Sequence, residues 1–125
     1  MGSKDSSKPL MVKIISPEGI FYDSMKIPKV SIISIVAKGV IPSKGKGEFP
    51  EIKDEAARDF EILPDHSPFV AKVSPKSEIR ISGNNINSNY LKTERGGIVT
   101  VSYTDNYTLV VFTLQDVKED PSGKN

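Results

Sequence analysis

Residues 30–37 (VSIISIVA) are an almost unbroken run of β-branched and small apolar side chains, and this run limits the fold more than any other segment. Eight residues are too few for a buried helix, so the run reads as a strand buried on both faces or nearly so. Lys38-Gly39 breaks it, and Val40-Ile41-Pro42 reads as an edge extension.

The flanking segments repeat the β signal. Residues 10–16 (LMVKIIS) are rich in branched side chains and close on Pro17-Glu18-Gly19, a strand entering a turn, and the short apolar piece Ile20-Phe21-Tyr22 follows. Ile79 and Ile81 alternate with Arg80 and Ser82 ahead of Gly83-Asn84-Asn85, residues that tolerate positive φ and mark a hairpin. Residues 98–103 and 107–114 flank Thr104-Asp105-Asn106, a second hairpin signal. Read by parity within each strand, this hairpin puts Val99, Val101, Tyr103, Tyr107, Leu109 and Val111 on one face. The other then carries Ile98, Thr100, Thr108, Val110, Phe112 and Leu114, and both faces are partly apolar, as in a layered β structure.

One segment reads as helix. Residues 50–60 (PEIKDEAARDF) place proline at a first helical position with acids early, and Ile52, Ala56 and Phe60 fall on one face. The lysine–glycine alternation of 43–49 reads as a mobile loop before it, and 118–125 (KEDPSGKN) as a frayed tail. Short strands spaced by turns with at most one short helix predict a mainly β domain, a β-sandwich or flattened barrel, over residues 10–117, with 1–9 as a disordered tail.

Composition narrows the function. With 125 residues the chain is one domain, and 17 basic against 16 acidic residues leave a net charge of +1, far from the clustered basic excess of a nucleic-acid binder. The absence of cysteine removes disulfides, thiolate nucleophiles and cysteine-ligated metals, and fits a reducing compartment. No stretch reaches the length of a membrane span, so a soluble, cytoplasmic protein without membrane insertion is expected.

No segment reads as an active site. His66 is the single histidine, and in Asp65-His66-Ser67, bracketed by Pro64 and Pro68, consecutive residues cannot converge their side chains on one substrate atom. Asp54, Glu55 and Asp59 read as a solvated helix face rather than an oxygen site for a metal. Gly45-Lys46-Gly47 lacks the spacing of a phosphate loop, and Gly96-Gly97 precedes a strand rather than a helix. No enzyme activity and no cofactor are expected.

The order of motifs carries further. Leu10-x-Val12-x-Ile14-x-Ser16-Pro17-Glu18-Gly19-x-Phe21-Tyr22 resembles the opening of the epsilon subunit of F-type ATP synthases, called delta in mitochondria. Asp59-Phe60-Glu61-Ile62-Leu63-Pro64-Asp65-His66-Ser67-Pro68 is similar to that family's G-[DE]-F-G-I-L-P-x-H-A-P signature, and Pro75, the Ile79/Ile81 strand and Gly96-Gly97-Ile98-Val99-x-Val101 follow in the family's order. The resemblance implies a ten-stranded β-sandwich that does no chemistry. Such a sandwich sits at the foot of a rotary motor's central stalk, bound to gamma in a complex with the alpha and beta subunits and resting on the c ring. The chain would then be peripherally membrane-associated through that complex. Ser16, His66 and Ala71 match the gamma-facing positions, and Asp59 matches the acid of the ring-facing turn, with Lys44, Lys46, Arg58 and Glu61 in the same loop.

Two departures modify this expectation. Residues 34–58 intervene where the family passes in a few residues from strand to turn, and Arg58 and Glu61 replace two turn glycines, so a modified c ring or a substitute partner in its place is expected. The chain also ends soon after its last strand, so the family's C-terminal helical hairpin, with its inhibition and ATP binding, is not carried over. The alternative from a different class is a free-standing β-sandwich module that binds a peptide or small ligand.

Overall fold

In a computed structural model we describe residues 9–27, 29–42, 58–64, 67–84, 86 and 90–120. They form ten strands: β1 (Leu10–Ser16), β2 (Gly19–Asp23), β3 (Ser31–Pro42), β4 (Arg58–Ile62), β5 (Phe69–Val73), β6 (Ser77–Asn84), β7 (Tyr90–Thr93), β8 (Gly97–Tyr103), β9 (Thr108–Leu114) and β10 (Lys118–Glu119). One 3-10 turn, Ser24–Lys26, follows β2 and is capped by the Asp23 side chain, which accepts from the Met25 N–H at 3.1 Å. The mainly β fold, a sandwich or flattened barrel, is the one the strand rhythm predicts.

All ten strands belong to one sheet, in the order β10-β7-β6-β3-β5-β8-β9-β1-β2 with β4 beside β3. It wraps on itself into two layers. The first is β5-β8-β9-β1-β2, held by the hairpins β1–β2 and β8–β9, by the antiparallel pairing of β5 with β8 and by one parallel pairing that sets Leu10–Ile15 alongside Thr108–Thr113. The second is β4-β3-β6-β7-β10.

β3 joins the layers. Residues 35–37 lie between β4 and β6, and Val40, Ile41 and Pro42 then pair with β5. The change of layer falls on Lys38-Gly39, where the pairing with β4 skips from Ala37 to Val40 and Gly39 takes φ 75°. Only glycine adopts that conformation without strain. A Cβ there would also stand 2.7 Å from Ser77 Oγ. The dipeptide expected to end the strand therefore bends it, and 40–42 is an interior crossing rather than an edge.

Strand alternation builds the core from both layers. Ile14, Phe112, Val99 and Ala71 are successive cross-strand neighbours in the first layer, and Ile62, Ile35 and Ile81 in the second, all buried in one cluster. Full burial of side chains of this size stabilises by about 1.5–3 kcal/mol each, before the entropy cost of ordering the chain.

Three further expectations are corrected. Residues 58–60 are the start of β4, not the end of a helix, because Phe60 and Ile62 alternate with Asp59 and Glu61 at the period of a strand; residues 50–57 lie outside the described set. The 98–114 hairpin pairs Tyr103 with Thr108, so an even turn of four residues sets odd positions of β8 beside even positions of β9. Val99 and Val101 therefore share the inner face with Thr108, Val110, Phe112 and Leu114, and Leu109 and Val111 move outward. Lys118 and Glu119 are not tail but pair with Lys92 and Leu91 of β7.

Candidate interaction surface

An antiparallel layer with one solvated side ordinarily reads apolar inside and polar outside. The first layer breaks that rule. On its outer side Ile98 of β8 stands beside Thr113 of β9, which stands beside Ile15 of β1 and then Ile20 of β2, with Lys72 of β5 at the far end. Ile98 is 42% exposed and Ile20 54%. The next row runs Val70, Thr100, Val111 and Lys13, and beyond it Leu109 pairs with Met11. A continuous apolar face of this kind marks an interaction surface, whereas scattered exposed apolar side chains do not.

At one end the face deepens into an open groove of about 830 Å³, lined by Ile15, Ser16, Pro17, Lys72, Arg95 and Ile98 among others. Three turns shape it: β1 to β2 brings Ser16 and Pro17, β5 to β6 brings Pro75, and β7 to β8 brings Arg95. Ser16 is committed locally, since its Oγ accepts from the Glu18 N–H at 3.2 Å.

The turn carrying Arg95 is held by Asp116. Its carboxylate accepts from the Arg95 N–H at 2.8 Å, the Glu94 N–H at 3.1 Å and the Thr93 hydroxyl at 3.1 Å, and Thr93 Oγ1 in turn accepts from the Gly96 N–H at 3.0 Å. Desolvation pushes the Asp116 carboxyl up, but the two amide donors, the hydroxyl and the Arg95 charge outweigh it and hold the group below its ordinary value. Gly96 closes the turn at φ 81°, buried so tightly that a Cβ would run into the Val73 carbonyl oxygen. The turn backbone is therefore fixed, which sets where the Arg95 side chain leaves the chain.

The residues proposed from sequence fall in different places. Ser16 ends β1 and lines the groove. Ala71, expected at the gamma-facing surface, is 0% exposed: its parity on β5 matches Val99 and Phe112, so its side chain belongs to the core rather than to the surface. His66, Lys44 and Lys46 lie outside the described residues. Arg58 opens β4, and Asp59 and Glu61 are exposed on the outer side of the second layer, where Glu61 pairs with Val36. The ring-facing turn expected at 58–61 is a strand, because the replaced glycines no longer supply positive φ and the Phe60/Ile62 alternation directs the segment against β3.

Sequence reasoning did not single out Ile15, Ile20, Lys72, Arg95 or Ile98 as a surface. The signal for Ile98 was there, in the odd-with-even register of an even turn. The juxtaposition of β1 with β9 was not, since about a hundred residues separate partners in a parallel pairing. Among the described residues no group of three histidine, cysteine or acidic side chains gathers as metal ligands, and no helix is long and apolar enough to cross a membrane. Comparison with models of known protein families and with curated proteins gives no match.

Proposed function

We propose that this chain is a non-catalytic central-stalk subunit of an F-type or F-type-like rotary ATPase, holding a gamma-like partner on the outer face of its first layer and helping couple ATP turnover to rotation. The observation that carries the reading is the apolar row Ile98–Thr113–Ile15–Ile20, which ends in the groove beside Ser16, in a chain whose motif order resembles the epsilon family. A doubly packed sheet joined through β3 suits a part that transmits force, because close-packed interiors deform little. The α/β-like nucleotide-binding subunits belong to the same complex, and Asp59 and Glu61 on β4 present a different chemistry to a c ring or a substitute partner beneath.

The groove by itself favours a second reading, a free-standing module for a peptide or small ligand, since its volume falls within the usual range of ligand sites. Purification of the tagged protein from native membranes in mild detergent separates the two. A gamma-like coiled-coil chain together with alpha/beta-like chains in fixed ratio is the expected result. A stable monomer that retains none of them would overturn the stalk reading.

A further inference from the structure

The charge at the groove end of the apolar face is mainly positive. Lys72 ends the first row there, Arg95 stands at the rim and no carboxylate lines the groove, whereas the second row ends on Lys13 beside Asp23, a carboxylate that is 8% exposed and caps the 3-10 turn. Glu18 and Glu94 sit in the adjoining turns and are not part of the lining; Asp116 accepts hydrogen bonds from the turn that carries Arg95 and offsets part of the Arg95 charge, so Lys72 is the less compensated of the two cations. Among the described residues Lys72 and Arg95 form no salt bridge, whereas on the other layer Lys38 pairs with Glu78 at 3.8 Å.

The row from Lys72 to Ile20 crosses five strands spaced about 4.8 Å apart, a track about 19 Å long, which is the length of about 13 helical residues. An amphipathic helix laid along such a track buries its apolar stripe on Ile98, Ile15 and Ile20 and meets the two cations at one end.

We infer that the face takes an amphipathic helix of the gamma-like partner, apolar along one stripe and bearing carboxylates at the end that lies against Lys72 and Arg95. This rests on the proposed function for the partner's identity, and on the groove alone for the partner's chemistry. Ile15, Ile20 and Ile98 supply the affinity, and Lys72 and Arg95 fix which way the helix points, because charges at a rim set orientation and partner choice more than strength.

The test uses the whole chain and two designed 14-residue amphipathic peptides with the same leucine stripe, one ending in a Glu pair and the other in a Lys pair. Each carries one tryptophan, a clean reporter since this chain has none. The acidic peptide should bind at least about tenfold more tightly than the basic one, and Lys72→Glu with Arg95→Glu should reverse that order. Ile98→Asp should abolish both, with thermal unfolding unchanged as the control for folding. Equal binding of the two peptides, binding of neither, unaltered preference in the charge-reversed variant, displacement by decanoate alone, or a dimer in light scattering that buries Ile98 would each overturn the inference. The two proposals fail separately. A gamma-like chain that co-purifies undiminished with Lys72→Glu/Arg95→Glu sinks the acidic-helix inference alone, whereas acidic-peptide binding without any co-purifying ATPase chain sinks the stalk reading alone.

Discussion

The two outer faces of the sandwich share one core and one chain yet present opposite chemistry. Outside the second layer, Glu61, Val36, Arg80 and Tyr90 form one row across β4, β3, β6 and β7, and Glu78, Lys92 and Lys118 form the next, with Lys38 paired to Glu78. Both charge signs are interspersed there, as on a face that meets water. Outside the first layer isoleucine, valine, leucine and methionine alternate with Thr100, Ser102 and Thr113, and the charges are Lys72 and, beside Asp23, Lys13. Since alternation alone places polar residues outside, the difference locates a constraint beyond folding on the first layer only.

Both faces depend most heavily on the core they share. Phe112 is fully buried against both layers' cluster, and Phe112→Ala should cost about 3–5 kcal/mol in chemical denaturation, removing both faces together. Gly39→Ala strains the bend through which β3 changes layer, both by its φ of 75° and by the approach to Ser77 Oγ. A loss of about 1–3 kcal/mol is expected, read by the same titration.

Asp116 sharpens the contrast from the first-layer side. Asp116→Ala should cost about 1 kcal/mol, a hydrogen-bond figure held low because the carboxylate is partly exposed, and should loosen amide protection at 94–96 in hydrogen exchange while β6 is unaffected. Its folded pKa lies below the ordinary value of 3.8, so this stabilisation is fully present above that pH and is lost as pH falls through the lower folded value. In Asp116→Asn the acid-side loss should shrink correspondingly, as measured by urea midpoints from pH 2 to 5.

Smaller effects come from single polar atoms. Thr108 Oγ1 is buried without a hydrogen-bond partner, so Thr108→Val should raise stability by up to about 1 kcal/mol. On the charged face, Glu78→Gln removes an exposed ion pair and should change stability by less than about 0.5 kcal/mol.

Much of the fold was legible in the sequence because short β-branched runs between turn residues have few alternative readings. The strands at Leu10–Ser16, Ser77–Asn84 and Thr108–Leu114 follow from that pattern directly. Where reading failed, local preference met a non-local partner. The helix formers before Phe60 outweighed the alternation of Asp59-Phe60-Glu61-Ile62, which β3 stabilises as a strand, and Lys38-Gly39 looked terminal because the pairing of Val40 with Val73 that continues the strand depends on distant residues. Ala71 was misplaced for a related reason: a matched position says nothing about which side of a strand faces the core. The surface row was legible only in parts, since Ile15, Thr113 and Ile98 become neighbours through one parallel and one antiparallel pairing.

The central claim, that the first layer's outer face holds a partner and the second layer's does not hold the same one, is tested most directly by quantifying chains that co-purify with three tagged proteins from native membranes. These are the natural chain, Ile20→Asp/Ile98→Asp, and Glu78→Lys/Arg80→Glu. The gamma-like chain should be lost with the isoleucine pair alone and stay at its natural ratio with the charge-altered pair. Retention with the isoleucine pair, or equal loss with both, would contradict it.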